Sequence, residues 1–231
     1  IYDSSTQAGT TYTPAWNYNG ETYYWRVIAS DLLGNTETTM PRQLKIETGV
    51  AAFLVSPDSG TRTNDSTPAF AWTGDADTYV FQVSASDTFA TVADSKTQTG
   101  TTYTPAGYYG AGTWYWRVVA LSASGDSRTT AAWPLIVDTA VAVTLIAPAD
   151  GHETSQLRPV FAWTSDGDTF LFQSARDTTP STLVESVVVT STGRSAAVDY
   201  TAGTIYWRVR ATDRAGNVET SAWNRVIIDT A

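Results

Sequence analysis

The stretch Gly112-Thr-Trp-Tyr-Trp-Arg-Val-Val-Ala-Leu121 decides the fold of this chain. Read with the two-residue period of a β-strand, Trp114, Trp116, Val118 and Ala120 fall on one face and Tyr115, Arg117, Val119 and Leu121 on the other. The tryptophan face is the one expected to be buried. Its centre, Tyr-Trp-Arg-Val, occurs three times, and the step from Trp25 to Trp116 and from Trp116 to Trp207 is 91 residues each time. A second marker keeps the step, since Pro68-Ala-Phe-Ala-Trp72 returns as Pro159-Val-Phe-Ala-Trp163. A period near 90 exceeds the roughly 20 to 50 residues of a solenoid repeat and matches one small β-sandwich. Each repeat is therefore expected to carry its own core.

Working outward, the 231 residues hold 42% hydrophobic and 12% aromatic side chains, enough to fill two to three domain cores. The net charge of −9, without any run of Lys or Arg, opposes attraction to nucleic acid or to an anionic membrane surface. The lack of cysteine excludes disulfides and thiolate metal sites. No apolar stretch approaches the roughly 18 residues that span a bilayer. The chain starts at Ile1 without a signal peptide, so the expectation is that a targeting segment was removed or lies outside this sequence.

Helical periodicity is hard to find, whereas short alternating runs rich in Val, Thr, Tyr and Trp recur between Gly, Asp, Asn and Ser clusters. The fold class is all-β. In the second repeat strands are expected near 51–56, 68–73, 78–85, 90–98, 101–104, 112–121 and 131–138, which suits a seven-stranded, two-sheet Greek-key sandwich. Trp72 with Trp116, and Trp163 with Trp207, are expected to dominate the stability of their domains.

On these residues the chain resembles tandem fibronectin type III-like domains of large prokaryotic cell-surface proteins. Pro-x-Phe-x-Trp in the second strand, Tyr-Trp-Arg-Val-x-Ala in the sixth and a closing Asp-Thr-Ala carry the likeness. The domains expected are 1–49 (the C-terminal half of one sandwich), 50–140 and 141–231. The first is read as incomplete because Asp3-Ser-Ser-Thr-Gln7 aligns with Asp94-Ser-Lys-Thr-Gln98, which leaves out its first strands. Either the sequence is an excerpt of a longer array, or another protein completes the half-domain. The third repeat departs from the pattern at Arg194, where Tyr12 and Tyr103 stand, and Trp133 and Trp223 differ by one residue in spacing.

Catalysis is not expected. His152 is the single histidine, expected in a solvated turn after Asp150-Gly151; there is no cysteine nucleophile, and no Gly-rich loop has phosphate-binding spacing. The metal candidate is a set of oxygen ligands suited to calcium: Asp138, Asp166, Asp168, Asp213 and Asn217. The resemblance implies that their loops meet at the end of the third domain facing its predecessor. The preceding junction offers Glu47, Asp75, Asp77 and Asp126. The alternative is that Asp-x-Asp and Asp-x-x-Gly-Asn simply cap turns through their own backbone.

A second candidate is the outward face of the sixth strand, where Tyr24 with Arg26, Tyr115 with Arg117, and Tyr206 with Arg208 recur in register. An aromatic face beside a guanidinium can serve as a glycan platform. Alternatively, Tyr and Arg cover one another by cation–π contact on an exposed strand. Asn64-Asp-Ser66 is a glycosylation sequon in a surface turn. With Lys45 and Lys96 as the sole lysines, few charges guard the strand edges, which leaves lateral self-association into fibres open.

The expected function is a structural repeat segment of an extracellular or cell-surface protein, a rod, stalk or filament component beside further copies of the same domain. The alternatives are an array of carbohydrate- or protein-binding modules, and accessory domains of a secreted hydrolase.

Overall fold

The computed structural model describes residues 6–15, 17–46, 49–179 and 182–230, and among them there is no α-helix. In the first repeat β1 (Thr22–Trp25) pairs antiparallel with β4 (Arg42–Lys45), and β2 (Ile28–Ser30) with β3 (Thr36–Thr38). The second repeat contributes β5 (Ala52–Ser56), β6 (Thr61–Thr63), β7 (Phe70–Gly74), β8 (Thr78–Ser84), β9 (Asp94–Gln98), β10 (Thr102–Tyr103), β11 (Gly112–Leu121), β12 (Ser127–Thr129) and β13 (Trp133–Val137). One sheet runs β10-β7-β5 and the other β6-β13-β11-β8-β9, with β12 pairing the far end of β11.

The third repeat repeats this plan. Its strands are β14 (Val143–Ala147), β15 (His152–Thr154), β16 (Val160–Ser165), β17 (Thr169–Ala175), β18 (Leu183–Val189), β19 (Gly193–Ser195), β20 (Gly203–Thr212), β21 (Val218–Thr220) and β22 (Asn224–Ile228). They form the sheets β14-β16-β19 and β15-β22-β20-β17-β18, with β21 on β20. Both units are two-sheet β-sandwiches of immunoglobulin-like architecture. The seven expected strands are present in the second repeat, and each unit adds two short ones. The extra ones, β6 and β12 with their equivalents β15 and β21, are three residues long and mostly polar, too short for an alternation to register.

The cores follow the alternation. Trp116, Val118 and Ala120 are buried and their neighbours on β11 half-buried, so the tryptophan face does point inward. The paired tryptophans meet through a phenylalanine. Phe81 lies between Trp72 and Trp116 with ring centroids 6.0 and 6.2 Å away, and Phe172 lies between Trp163 and Trp207 at 6.3 Å from each. Burying each of these rings contributes about 2–3 kcal/mol. The indole N–H groups of Trp72, Trp116, Trp163 and Trp207 are buried without a hydrogen-bond acceptor. The sandwiches thus accept four unmet donors in exchange for aromatic area.

A hydroxyl recurs at the same step in all three repeats. Thr39, Thr130 and Ser221 accept from the backbone N–H of Val27, Val118 and Val209 at 3.0, 3.1 and 3.1 Å. Each returns its own N–H to the same residue's carbonyl at 2.9–3.0 Å. This bridge replaces ladder bonds where the edge passes from β3 to β4, from β12 to β13 and from β21 to β22. The turn before it needs a left-handed residue, supplied by Gly34, Gly125 and Gly216 with φ of 87°, 98° and 93°.

Arg194 is explained by its partners. In the second repeat Asp94 accepts hydrogen bonds from Tyr103 (3.1 Å) and Tyr109 (2.8 Å). One period later Glu185 takes the place of Asp94, bonds the guanidinium of Arg194, and accepts from Tyr200 at 2.7 Å. Tyr200 also hydrogen-bonds the Ser174 hydroxyl at 2.9 Å, and Arg194 lies 4.8 Å over the Phe172 ring. Arginine stands at the tyrosine position where the carboxylate arm is longer by one methylene.

Candidate functional site

The loops expected to meet at the entry of the third repeat do so. Asp168 lies between β16 and β17 and accepts the backbone N–H of Arg214, in the β20–β21 turn, at 3.0 Å, while the Arg214 guanidinium reaches its other oxygen at 2.9 Å. Asp166 accepts from Ala142 N at 2.7 Å, tying the start of the repeat to the same loop. Asp213 accepts both the backbone and the side-chain N–H of Asn217 at 2.8 Å. Burial pushes the Asp213 carboxyl upward, yet the Asn217 bonds outweigh it and hold the group below the usual value.

Asn217 also donates to the main-chain carbonyl of Asp138 at 2.8 Å, while the Asp138 carboxylate lies 3.8 Å from Arg62. Asp138, Asp166, Asp168, Asp213 and Asn217 therefore share one end of the domain, but their oxygens are turned to amides and arginines. Among the described residues no three His, Asp or Glu side chains form a group that could hold a metal. The contacts are those of turn capping.

The preceding junction is built alike. Asp75 accepts from Ala51 N at 2.7 Å and Asp77 from Ala123 N at 2.8 Å, the counterparts of the Asp166 and Asp168 contacts. Asp126 occupies the Asn217 position and accepts from Ser124 Oγ at 3.2 Å. A carboxylate has no N–H to give a linker carbonyl. Glu47 lies outside the described residues. Across the second and third repeats the backbone N–H of Asn64, the sequon residue, donates to Ala215 O at 3.2 Å. This places the sequon against the next domain.

On the outer face, Arg117 donates through Nε to Gln82 at 2.9 Å and stacks 3.9 Å from the Phe89 ring centre. Arg208 donates to Gln173 at 2.9 Å and stacks 4.4 Å over Trp223. The cation–π partners are thus Phe89 and Trp223, not Tyr115 and Tyr206, which stay half-buried beside them. Phe89 is buried at φ 53°, a left-handed conformation rare for a bulky residue, with its N–H bonded to Ser86 O at 3.1 Å. Tyr24 and Arg26 differ, since both are exposed, Tyr24 at 71%. The glutamines could have been found from the sequence, because Gln82 and Gln173 stand one period apart on outward strand positions. Phe89 and Trp223 have no such pairing. His152 opens β15, exposed, its N–H bonded to Ala149 O at 3.0 Å.

No protein-family model and no curated protein matches the chain. Among solved structures it is similar to fibronectin(III)-like modules of Clostridium thermocellum CbhA, at 16% identity over 78% of this chain and 94% of that one, with a TM-score of 0.42. It is similar to a tetra-tandem repeat in the extending region of a large adhesion protein, at 16% identity over 91% of this chain and 57% of that one, with a TM-score of 0.40. A run of titin domains gives 13% identity over 90% of this chain and 74% of that one, with a TM-score of 0.48. No helix among the described residues is long and apolar enough to cross a membrane.

Proposed function

We propose that this chain is a mechanical segment of an extracellular surface protein, a semi-rigid rod in which sandwiches dividing at 49/50 and 140/141 transmit force rather than perform chemistry. The observation that carries this reading is the bonded junction between the second and third repeats. There the Asn217 side chain holds Asp138 O and the Asn64 N–H holds Ala215 O, so successive domains share two hydrogen bonds to main-chain carbonyls across a short linker. Pulling the chain by its ends in a force spectrometer tests it. Two complete repeats should unfold as separate events, each releasing about 30 nm of chain. A single event, or gradual extension without events, would sink the reading.

A second reading, a glycan- or protein-binding array, is favoured by the recurrence of Tyr24 with Arg26, Tyr115 with Arg117 and Tyr206 with Arg208 at the 91-residue step. Specific binding on a glycan array that Tyr24→Ala abolishes would support it, and uniform absence of binding would end it.

A further inference from the structure

The free edge of the third repeat differs in kind from that of the second. β18 ends its sheet, pairing with β17 on one side and with no strand on the other among the described residues. It is seven residues long and reads Leu-Val-Glu-Ser-Val-Val-Val. Its second-repeat counterpart, β9, reads Asp-Ser-Lys-Thr-Gln. One period apart, Lys96 becomes Val187, Thr97 becomes Val188 and Gln98 becomes Val189.

Lys96 is an edge guard. It stands opposite the buried Phe81, on the inward face of an outermost strand, and remains exposed. A charge held there would be buried by any strand added outside it, which opposes pairing. Val187 stands opposite Phe172 at the equivalent place and presents no such penalty. Val184, Val187 and Val188 are 37%, 36% and 65% exposed, and β18 contains no Pro or Lys.

We infer that β18 pairs edge to edge with β18 of a second copy of this chain, joining the two six-stranded sheets about a two-fold axis near Ser186. A second copy fits because the strand complements itself. In antiparallel register about Ser186, Val188 meets Val184 of the partner strand and Leu183 meets Val189. The strand's one charge, Glu185, faces inward and is neutralised within its own domain by Arg194, so no like charges meet across the axis. Main-chain hydrogen bonds supply the association and the valines its register. The contact is two-fold and uses the same edge of both copies, so it closes on itself as a dimer rather than propagating as a fibre. This inference does not depend on the mechanical reading.

Sedimentation velocity on the full chain over a concentration series tests it. The chain is expected to shift from monomer to dimer, Val187→Lys to stay monomeric with an unchanged circular dichroism spectrum, and Lys96→Val to add larger assemblies. Because the chain has no cysteine, Ser186→Cys gives a readout of position: it should form an intermolecular disulfide under mild oxidation, and Ser95→Cys should not. A wild-type chain monomeric at every concentration overturns the inference. So does a dimer that persists in Val187→Lys, or one in which Ser95→Cys cross-links as readily as Ser186→Cys.

Discussion

The side-chain amide of Asn217 donates to the main-chain carbonyl of Asp138 at 2.8 Å, so a turn residue of the third repeat grips the residue just past the last strand of the second. The other amide hydrogen is held by Asp213 at 2.8 Å, which fixes the rotamer. Asn217→Asp copies the residue found at position 126. It removes both donors and sets a carboxylate against Asp213, at a cost of about 1–3 kcal/mol. A lower urea midpoint for the third repeat and a broader interdomain distance distribution in small-angle scattering are expected; unchanged scattering would mean that the clasp does not set the junction.

Glu185 and Arg194 are expected to behave as one substitution. Both are nearly buried, so Arg194→Tyr alone removes the counter-charge of a carboxylate left with only Tyr200 and the Ala197 N–H, and Glu185→Asp alone leaves the guanidinium short of its partner, each costing about 3 kcal/mol. The double change recreates the pattern of the second repeat, Asp94 with Tyr103, and should recover at least half of the summed loss. A double-mutant cycle in urea reads this directly, and additive losses would refute the coupling.

Trp116→Ala should unfold the second repeat, since a loss of about 3–5 kcal/mol approaches the whole stability of a small domain. Trp116→Phe is the more informative change. It keeps the contacts with Phe70 (5.0 Å) and Phe81 while deleting an N–H that has no acceptor. Its cost should be about 1–2 kcal/mol, measured by thermal melting of residues 50–140 within the full chain.

Alkaline pH should weaken the second repeat. Burial, and after it the Asp94 carboxylate, pushes the Tyr109 phenol well above its ordinary value, and Tyr103 shifts the same way for the same reasons. A group whose folded pKa is raised contributes stability that is whole below the unfolded value of about 10 and is lost as pH rises through and beyond it. Urea midpoints should therefore fall above about pH 10 in the wild type and fall less in Tyr109→Phe. Parallel curves would show that the buried phenol does not govern the slope.

Much of the fold is legible in the sequence. The 91-residue step, the inward face of Gly112–Leu121 and the four core tryptophans follow from period and alternation, because a strand's side chains are assigned to faces by position alone. The all-β class follows from the same short-range pattern. What the linear chain withheld are contacts between residues far apart in it. The Asn217 clasp spans 79 positions and the Arg214–Asp168 bond 46, and neither end shows a composition unlike an ordinary turn. The acidic residues suggested a cation, while the fold turned their oxygens to amides and arginines. Arg194 looked like a departure and is half of a matched pair. Local pattern determined which residues are buried; which buried or turn group meets which was decided only when two sheets closed and brought distant polar atoms within hydrogen-bond reach.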